Sequence, residues 1–207
     1  MDGDMRKAYA RLAGDYDRNR GAFDMTEVLE SFYRRLDTRH GTLLDLGCGA
    51  GEPFARWFVD RGWEVSGVDG CPEMLDLARN YVPEMQLVCE DMRKLKYGDG
   101  IFDAVTCVYS LFHIPADDQF ALLANIFNWL RPGGKLLFTY ATREYTGEET
   151  FSGWKEFMGE RLFYSHRTPE ELKRRLQEIG FVVNELTFRA IGGETFLWVT
   201  ATKADAS

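Results

Sequence analysis

Short apolar runs alternate with amphipathic stretches along most of this chain, a rhythm that predicts a mainly parallel sheet with helices on both faces. Strands are predicted from Thr42, Glu64 to Val68, Met85 to Val88, Phe102 to Val108 and Lys135 to Tyr140, the fourth apolar enough for burial on both faces. Helical spacing fills the gaps: Phe54 to Arg61 stopping at Gly62, Pro72 to about Asn80, and a helix carrying Phe120, Leu123, Ile126, Phe127 and Leu130 behind Asp117 and Asp118. Arg131-Pro132-Gly133-Gly134 predicts a sharp end to that helix. Ahead of the sheet, Tyr9, Leu12 and Tyr16 form a loose helical face and Phe23 to Leu36 repeats apolar residues at helical period, giving a helical cap over 1–40. Behind it, Thr168 and Glu171 suggest a capping box for a helix from Pro169 to about Ile179, and Gly192-Gly193 joins Phe181–Arg189 to Glu194–Thr202 as a hairpin. Between these, residues 143–166 hold glycines and many rings without a sustained apolar face, which predicts an inserted loop or short helix.

Composition narrows the class. With 207 residues and 45% hydrophobic content, one domain over 1–207 has core enough to need no disulfide scaffold. A formal net charge of −8 argues against a nucleic-acid or anionic-membrane surface, because both call for a basic footprint. Cys48, Cys71, Cys89 and Cys107 sit at predicted strand ends without metal-like spacing, as reduced core or pocket residues. A charged amino-terminal stretch with no apolar signal core, and no run of membrane-spanning length, point to a soluble cytoplasmic protein.

Candidate chemistry starts at Thr42–Gly51, TLLDLGCGAG, a strand that turns through Gly47, Gly49 and Gly51 toward a helix near Pro53. Glycines allow a tight bend and close approach of the main chain to a nucleotide-like ligand, although the same turn also serves dinucleotides or no ligand at all. Asp45, Asp69 and Asp91 follow at or near the carboxyl ends of three successive strands, where open α/β sheets keep their ligands. Asp69, about twenty residues past the glycines, stands where an acidic side chain accepts ribose hydroxyls.

Five segments, LLDLGCGAGE (43–52), VSGVDGCPEML (65–75), CEDMRKL (89–95), FDAVTCVYSLFHI (102–114) and LRPGGKLLFT (130–139), resemble the class I S-adenosylmethionine-dependent methyltransferases. The resemblance implies a Rossmann-like seven-stranded sheet with an antiparallel carboxyl-terminal hairpin, S-adenosylmethionine as cofactor and S-adenosylhomocysteine as product. It further implies that Gly47, Cys48 and Gly49 line the methionine and ribose region, that Asp45 holds the turn or meets the amino group, and that Asp69 binds the ribose. Gly70, Cys71 and Met74 would lie along the adenosine. Asp91 would take the adenine amino group or merely cap a turn, with Met92 on the ring; Cys107 and Val108 would reach beneath the methionine. Tyr16 would lie against methionine or acceptor, or only anchor its helix, and Arg20 would pair with a carboxylate.

Transfer from a sulfonium is an in-line displacement onto a small-molecule acceptor, dominated by proximity and orientation. Proton handling, if any, falls to His113, with Tyr109 and His166 as further catalytic candidates, because an imidazole titrates near neutrality; a packed His113 fits equally. Tyr16, Tyr109, His113, Trp154 and Tyr164 are the substrate-binding candidates, with 143–166 as a lid or, alternatively, core filling or a dimer contact. Three histidines without pairing give no metal motif. An NAD(P)-binding oxidoreductase and a non-catalytic S-adenosylmethionine-binding module stay open, as does the choice between monomer and homodimer. Tyr109-Ser110-Leu111-Phe112 stands where nucleic-acid methyltransferases carry a Pro-Pro-Tyr type segment.

Overall fold

The computed structural model describes residues 3–18 and 24–204, with side chains from 3–14 and 24–204. One sheet has the order β3-β2-β1-β4-β5-β9-β8. Its strands are β1 (Thr42–Leu46), β2 (Glu64–Asp69), β3 (Gln86–Cys89), β4 (Phe102–Cys107), β5 (Leu130–Tyr140), β8 (Phe181–Ile191) and β9 (Glu194–Lys203). The first five pair in parallel, while β9 runs antiparallel to both β5 and β8. After β3 the chain crosses back to lay β4 beside β1, so strand order reverses there and a crevice opens at the carboxyl ends.

Successive residues of the central strands point to opposite cores, as a pleated strand requires. Leu43, Ala104 and Leu137 meet α2 (Thr26–Arg34), α3 (Phe54–Val59) and α4 (Pro72–Tyr81) through Phe32, Phe58 and Leu75. Leu44, Val105 and Leu136 meet α5 (Ala116–Trp129) and α7 (Pro169–Ile179) through Leu123, Ile126 and Leu176. The Thr168 hydroxyl accepts from the Glu171 amide at 3.2 Å, capping α7, and Gly180 ends it at φ 115°. Gly192 and Gly193, at φ 64° and 84°, make the β8–β9 turn whose twist suits a hairpin.

Four expectations need revision. Arg131–Gly134 does not precede β5 but bulges within it: Phe102 pairs with Leu130 and Ala104 with Lys135, leaving four residues opposite Asp103. Arg131 folds back onto that aspartate at 2.6 Å, and the Ile101 amide donates to Trp129, so the end of α5 feeds straight into the ladder. The cap of α5 is Pro115, with Asp117 and Asp118 in the first turn, where they still complement the helix dipole. Cys89, expected in core or pocket, is exposed on the edge strand β3, whereas Cys48, Cys71 and Cys107 are buried.

The largest revision concerns residues 143–166. A single helical turn, α6 (Arg143–Thr146), leads into a second, two-stranded sheet of β6 (Phe151–Phe157) and β7 (Glu160–His166), antiparallel with Trp154 opposite Phe163. Its burial alternates, but Lys155 holds a half-buried position, donating to the Tyr145 carbonyl at 2.9 Å, while Trp154 lies on the other face beside Phe163 and is 38% exposed. That inversion hides the apolar alternation a strand would display. Helix α1 (Gly3–Arg18) lays Met5, Ala8 and Leu12 against Leu162, Tyr164, Phe112 and Phe196, tying hairpin to sheet. No helix among the described residues is long and apolar enough to cross a membrane.

Candidate active site

A cavity of about 440 Å³ occupies the crevice between the sheet and the hairpin. Its floor is the glycine turn after β1. The amides of Gly47 and Cys48 both donate to the Val68 carbonyl, at 2.7 and 3.0 Å, which bends the chain across the end of β2. Gly47 has φ 71°, and a Cβ there would lie 2.3 Å from that of Ser110, so only glycine fits. At Gly49 a Cβ would meet no protein atom within 4 Å, leaving the turn's main chain open to the cavity that it lines.

Carboxylates fix this floor. Asp69 accepts the Gly49 amide at 3.0 Å and the Cys71 amide at 2.8 Å, one on each oxygen. Burial raises its carboxyl above the usual value, with the two amides opposing that rise. Asp45 accepts the Thr106 hydroxyl at 2.7 Å, and burial pushes its pKa up to about 6. Asp91 accepts the Arg93 amide, capping the 3-10 turn Met92–Lys94, and its carboxylate meets the Arg93 guanidinium at 2.6 Å. Burial works against ionisation there, but Arg93 holds Asp91 well below the ordinary carboxylate range. Arg93 is occupied on its other side by Asp118 at 2.9 Å.

The remaining wall is apolar: Met5, Met25, Met74, Met92, Val108 and Phe54 with Trp154, Phe157, Met158 and Phe163 of the hairpin. His113 lines the cavity with both nitrogens engaged, Nε2 at 2.7 Å from the Tyr9 hydroxyl and Nδ1 at 2.7 Å from the Phe163 carbonyl. Burial lowers its pKa to about 4, so the ring is neutral at pH 7. Tyr109 also lines the cavity. Its backbone sits at φ 53°, its amide donates to Thr139 at 2.6 Å, and its ring packs edge-on against Phe196 and Trp198.

Asp45, Gly47, Cys48, Gly49, Asp69, Gly70, Met74, Asp91, Met92, Val108, Tyr109, His113 and Trp154 are thus gathered around one cavity. Four expected residues are not. Cys71 turns its thiol to Glu73 at 3.2 Å and packs on Met74 and Ala13, and Cys107 turns to Ser110 at 3.1 Å; burial pushes both thiols up to about 12. His166 sits beneath the base of the hairpin, bound to the Thr146 hydroxyl at 2.8 Å and the Arg167 carbonyl at 3.1 Å, away from the cavity lining. Tyr164 lines only a side chamber of about 20 Å³, with its hydroxyl accepting from Tyr145 at 2.9 Å. The Tyr16 side chain and Arg20 lie outside the described residues.

Sequence reasoning missed Met5, Tyr9, Met25 and Glu90 in the lining. Met5, Tyr9 and Leu12 do fall at helical spacing in the sequence, a readable face whose partner was not readable.

The charge of the lining is strongly one-sided. Asp45, Glu52, Asp69, Glu90 and Asp91 line the cavity against Arg93 alone among the described residues. Such a wall favours a ligand carrying positive charge and hydroxyls, and opposes a pyrophosphate. Among the described residues no three His, Cys, Asp or Glu side chains gather into a group able to hold a metal.

Comparison with known proteins agrees with this geometry. The family model described as a methyltransferase domain matches residues 4–186. The malonyl-[acyl-carrier protein] O-methyltransferase of Serratia marcescens is 32% identical over 155 residues, 74% of this chain and 58% of that one. The ubiquinone biosynthesis O-methyltransferase of Coxiella burnetii is 33% identical over 107 residues, 50% of this chain and 44% of its own. This chain therefore spans only about half the length of these relatives. In fold it resembles the Burkholderia thailandensis 1,6-didemethyltoxoflavin-N1-methyltransferase, solved with that compound and S-adenosylhomocysteine, at TM-score 0.67 and 22% identity over 99% of this chain and 92% of that one.

Proposed function

Since the chain belongs to the class I S-adenosylmethionine-dependent methyltransferases, we propose that it methylates a small molecule held beneath the hairpin. The observation that carries this reading is the acidic wall opposite an apolar one. S-adenosylmethionine bears a sulfonium and an ammonium against one carboxylate, so five acidic side chains attract it, whereas a dinucleotide would bring two phosphates to the same surface. When bound, the cofactor supplies an activated methyl carbon. Asp69 would receive the ribose hydroxyls, Asp45 the ammonium, and Asp91 with Met92 the adenine. Gly49 leaves the main chain open for close approach.

The hairpin and α1 roof the apolar half and exclude water, so orientation rather than acid–base catalysis carries the rate. Trp154, Phe157 and Phe163 suit an acceptor with an apolar body. We assign 143–166 the role of lid and 1–40 that of cap within one domain. Four cysteines without a disulfide fit a reducing compartment such as the cytoplasm.

Calorimetry with S-adenosylmethionine, S-adenosylhomocysteine and NADP⁺ tests the cofactor, and methyl-labelled cofactor with small-molecule extracts tests transfer. Binding of the first two and not the third, with label appearing in a small molecule, is expected. Preference for NADP⁺ overturns the reading in favour of an oxidoreductase; cofactor binding without transfer to any acceptor leaves a binding module.

A further inference from the structure

Tyr9 and His113 are 104 residues apart in sequence, yet their side chains meet at 2.7 Å on the wall shared by the main cavity and the side chamber. The hydrogen positions in this pair follow from its third member. A backbone carbonyl only accepts, so at 2.7 Å from the Phe163 oxygen His113 Nδ1 must carry a hydrogen. Burial keeps the imidazole neutral, which leaves Nε2 without one. Nε2 therefore accepts, and the Tyr9 hydroxyl is the donor. With its hydrogen committed to His113, the Tyr9 oxygen can meet a cavity ligand only as an acceptor. The rings around it, Phe163, Phe157 and Trp154, together with Met5 and Met158, suit an apolar ligand body.

We infer that Tyr9 is a specificity-determining residue that accepts a hydrogen bond from an O–H or N–H on the molecule to be methylated, with His113 as the positioning residue that fixes its polarity. The site then selects a compact apolar compound with one such donor, phenol-like in character, and rejects the same compound once that donor is capped. This rests on the methyltransferase reading for what the ligand is used for, but not for whether it binds.

The test uses p-cresol and its methyl ether, 4-methylanisole, titrated by calorimetry into protein first saturated with S-adenosylhomocysteine. The parent should bind p-cresol more tightly by about tenfold or more. Tyr9→Phe, which keeps the ring and its edge contact with His113, should bind both compounds equally. His113→Phe releases the tyrosine hydrogen to donate to an ether oxygen, so the ratio should shift toward 4-methylanisole. Nitrogen-15 NMR of labelled histidine in the parent should report the neutral ring protonated at Nδ1. A parent without p-cresol preference, including one that binds neither compound, a preference that survives in Tyr9→Phe, or an Nε2-protonated ring overturns the inference. If S-adenosylhomocysteine does not bind, the methyltransferase reading fails, and the same comparison on ligand-free protein still decides the role of Tyr9.

Discussion

Asp69 and Gly49 lie twenty residues apart, at the ends of neighbouring strands, and are joined by a 3.0 Å hydrogen bond from amide to carboxylate. One side chain thus holds the glycine turn in place while lining the ligand cavity. Asp69→Ala should weaken S-adenosylmethionine by about tenfold or more, since charge-assisted hydrogen bonds contribute about 1.5–3 kcal/mol. Calorimetry on the folded variant measures this; unchanged affinity would remove Asp69 from the cofactor site.

Asp45 and His113 give the protein opposite pH responses. With its pKa raised from 3.8 to about 6, Asp45 holds its proton better folded than unfolded, so its contribution is present at acid pH and lost as pH rises through about 6. His113, lowered from 6.5 to about 4, stabilises the neutral side, and its contribution is lost as pH falls through about 4. Relative to the parent, thermal melts over this window should rise more steeply with pH in Asp45→Asn and less steeply in His113→Phe. Cofactor affinity should also fall below about pH 6 in the parent, where Asp45 loses its charge, and lose that dependence in Asp45→Asn. Parallel melting profiles in all three proteins would refute both assignments.

At Gly47 the constraint is steric. A methyl group would meet Ser110, whose hydroxyl is pinned to the Leu46 carbonyl at 2.7 Å, in a backbone at φ 71°. Gly47→Ala should cost about 2–3 kcal/mol in urea denaturation and abolish cofactor binding. A variant as stable as the parent would show that the turn can relax.

Trp154 separates recognition from packing. Its ring is 38% exposed and touches Phe163 edge-on at 5.9 Å between centroids. Trp154→Ala should therefore lose no more than about 1 kcal/mol of stability while strongly raising the KM for the acceptor. Amide exchange over residues 143–166 should slow when both ligands are bound, as expected of a closing lid. Unchanged acceptor kinetics with a large stability loss would make the ring architectural.

Much of this molecule was legible in its sequence because the relevant signals are local. A strand, a glycine turn and an acidic residue at the next strand end all lie within a few tens of residues, and burial on both faces makes the central strands continuous apolar runs. The hairpin was not legible, since Lys155 takes the more buried face and Trp154 the more exposed one, reversing the pattern that polarity would suggest. Nor was the side to which a strand-end residue turns: Val108 faces the cavity and Cys107, its neighbour, does not. Tyr9 escaped for a different reason, as its meaning depends on His113 and Phe163, which only the folded chain brings near.

Arg11 on α1 grips Glu160 beside the hairpin turn with two nitrogens, each at 2.6 Å, across 149 positions of sequence. During synthesis the amino-terminal helix therefore emerges long before the surface it will cover, and waits through five strands for its partner. Until then the stripe of Met5, Ala8 and Leu12 has no hairpin to lie against. A chain halted at Thr150 should accordingly bind the dye ANS more strongly than the full chain, and equal dye binding would show that the helix finds other shelter. The roof over the ligand can close only once the ribosome has released both sides of a contact that spans 149 positions.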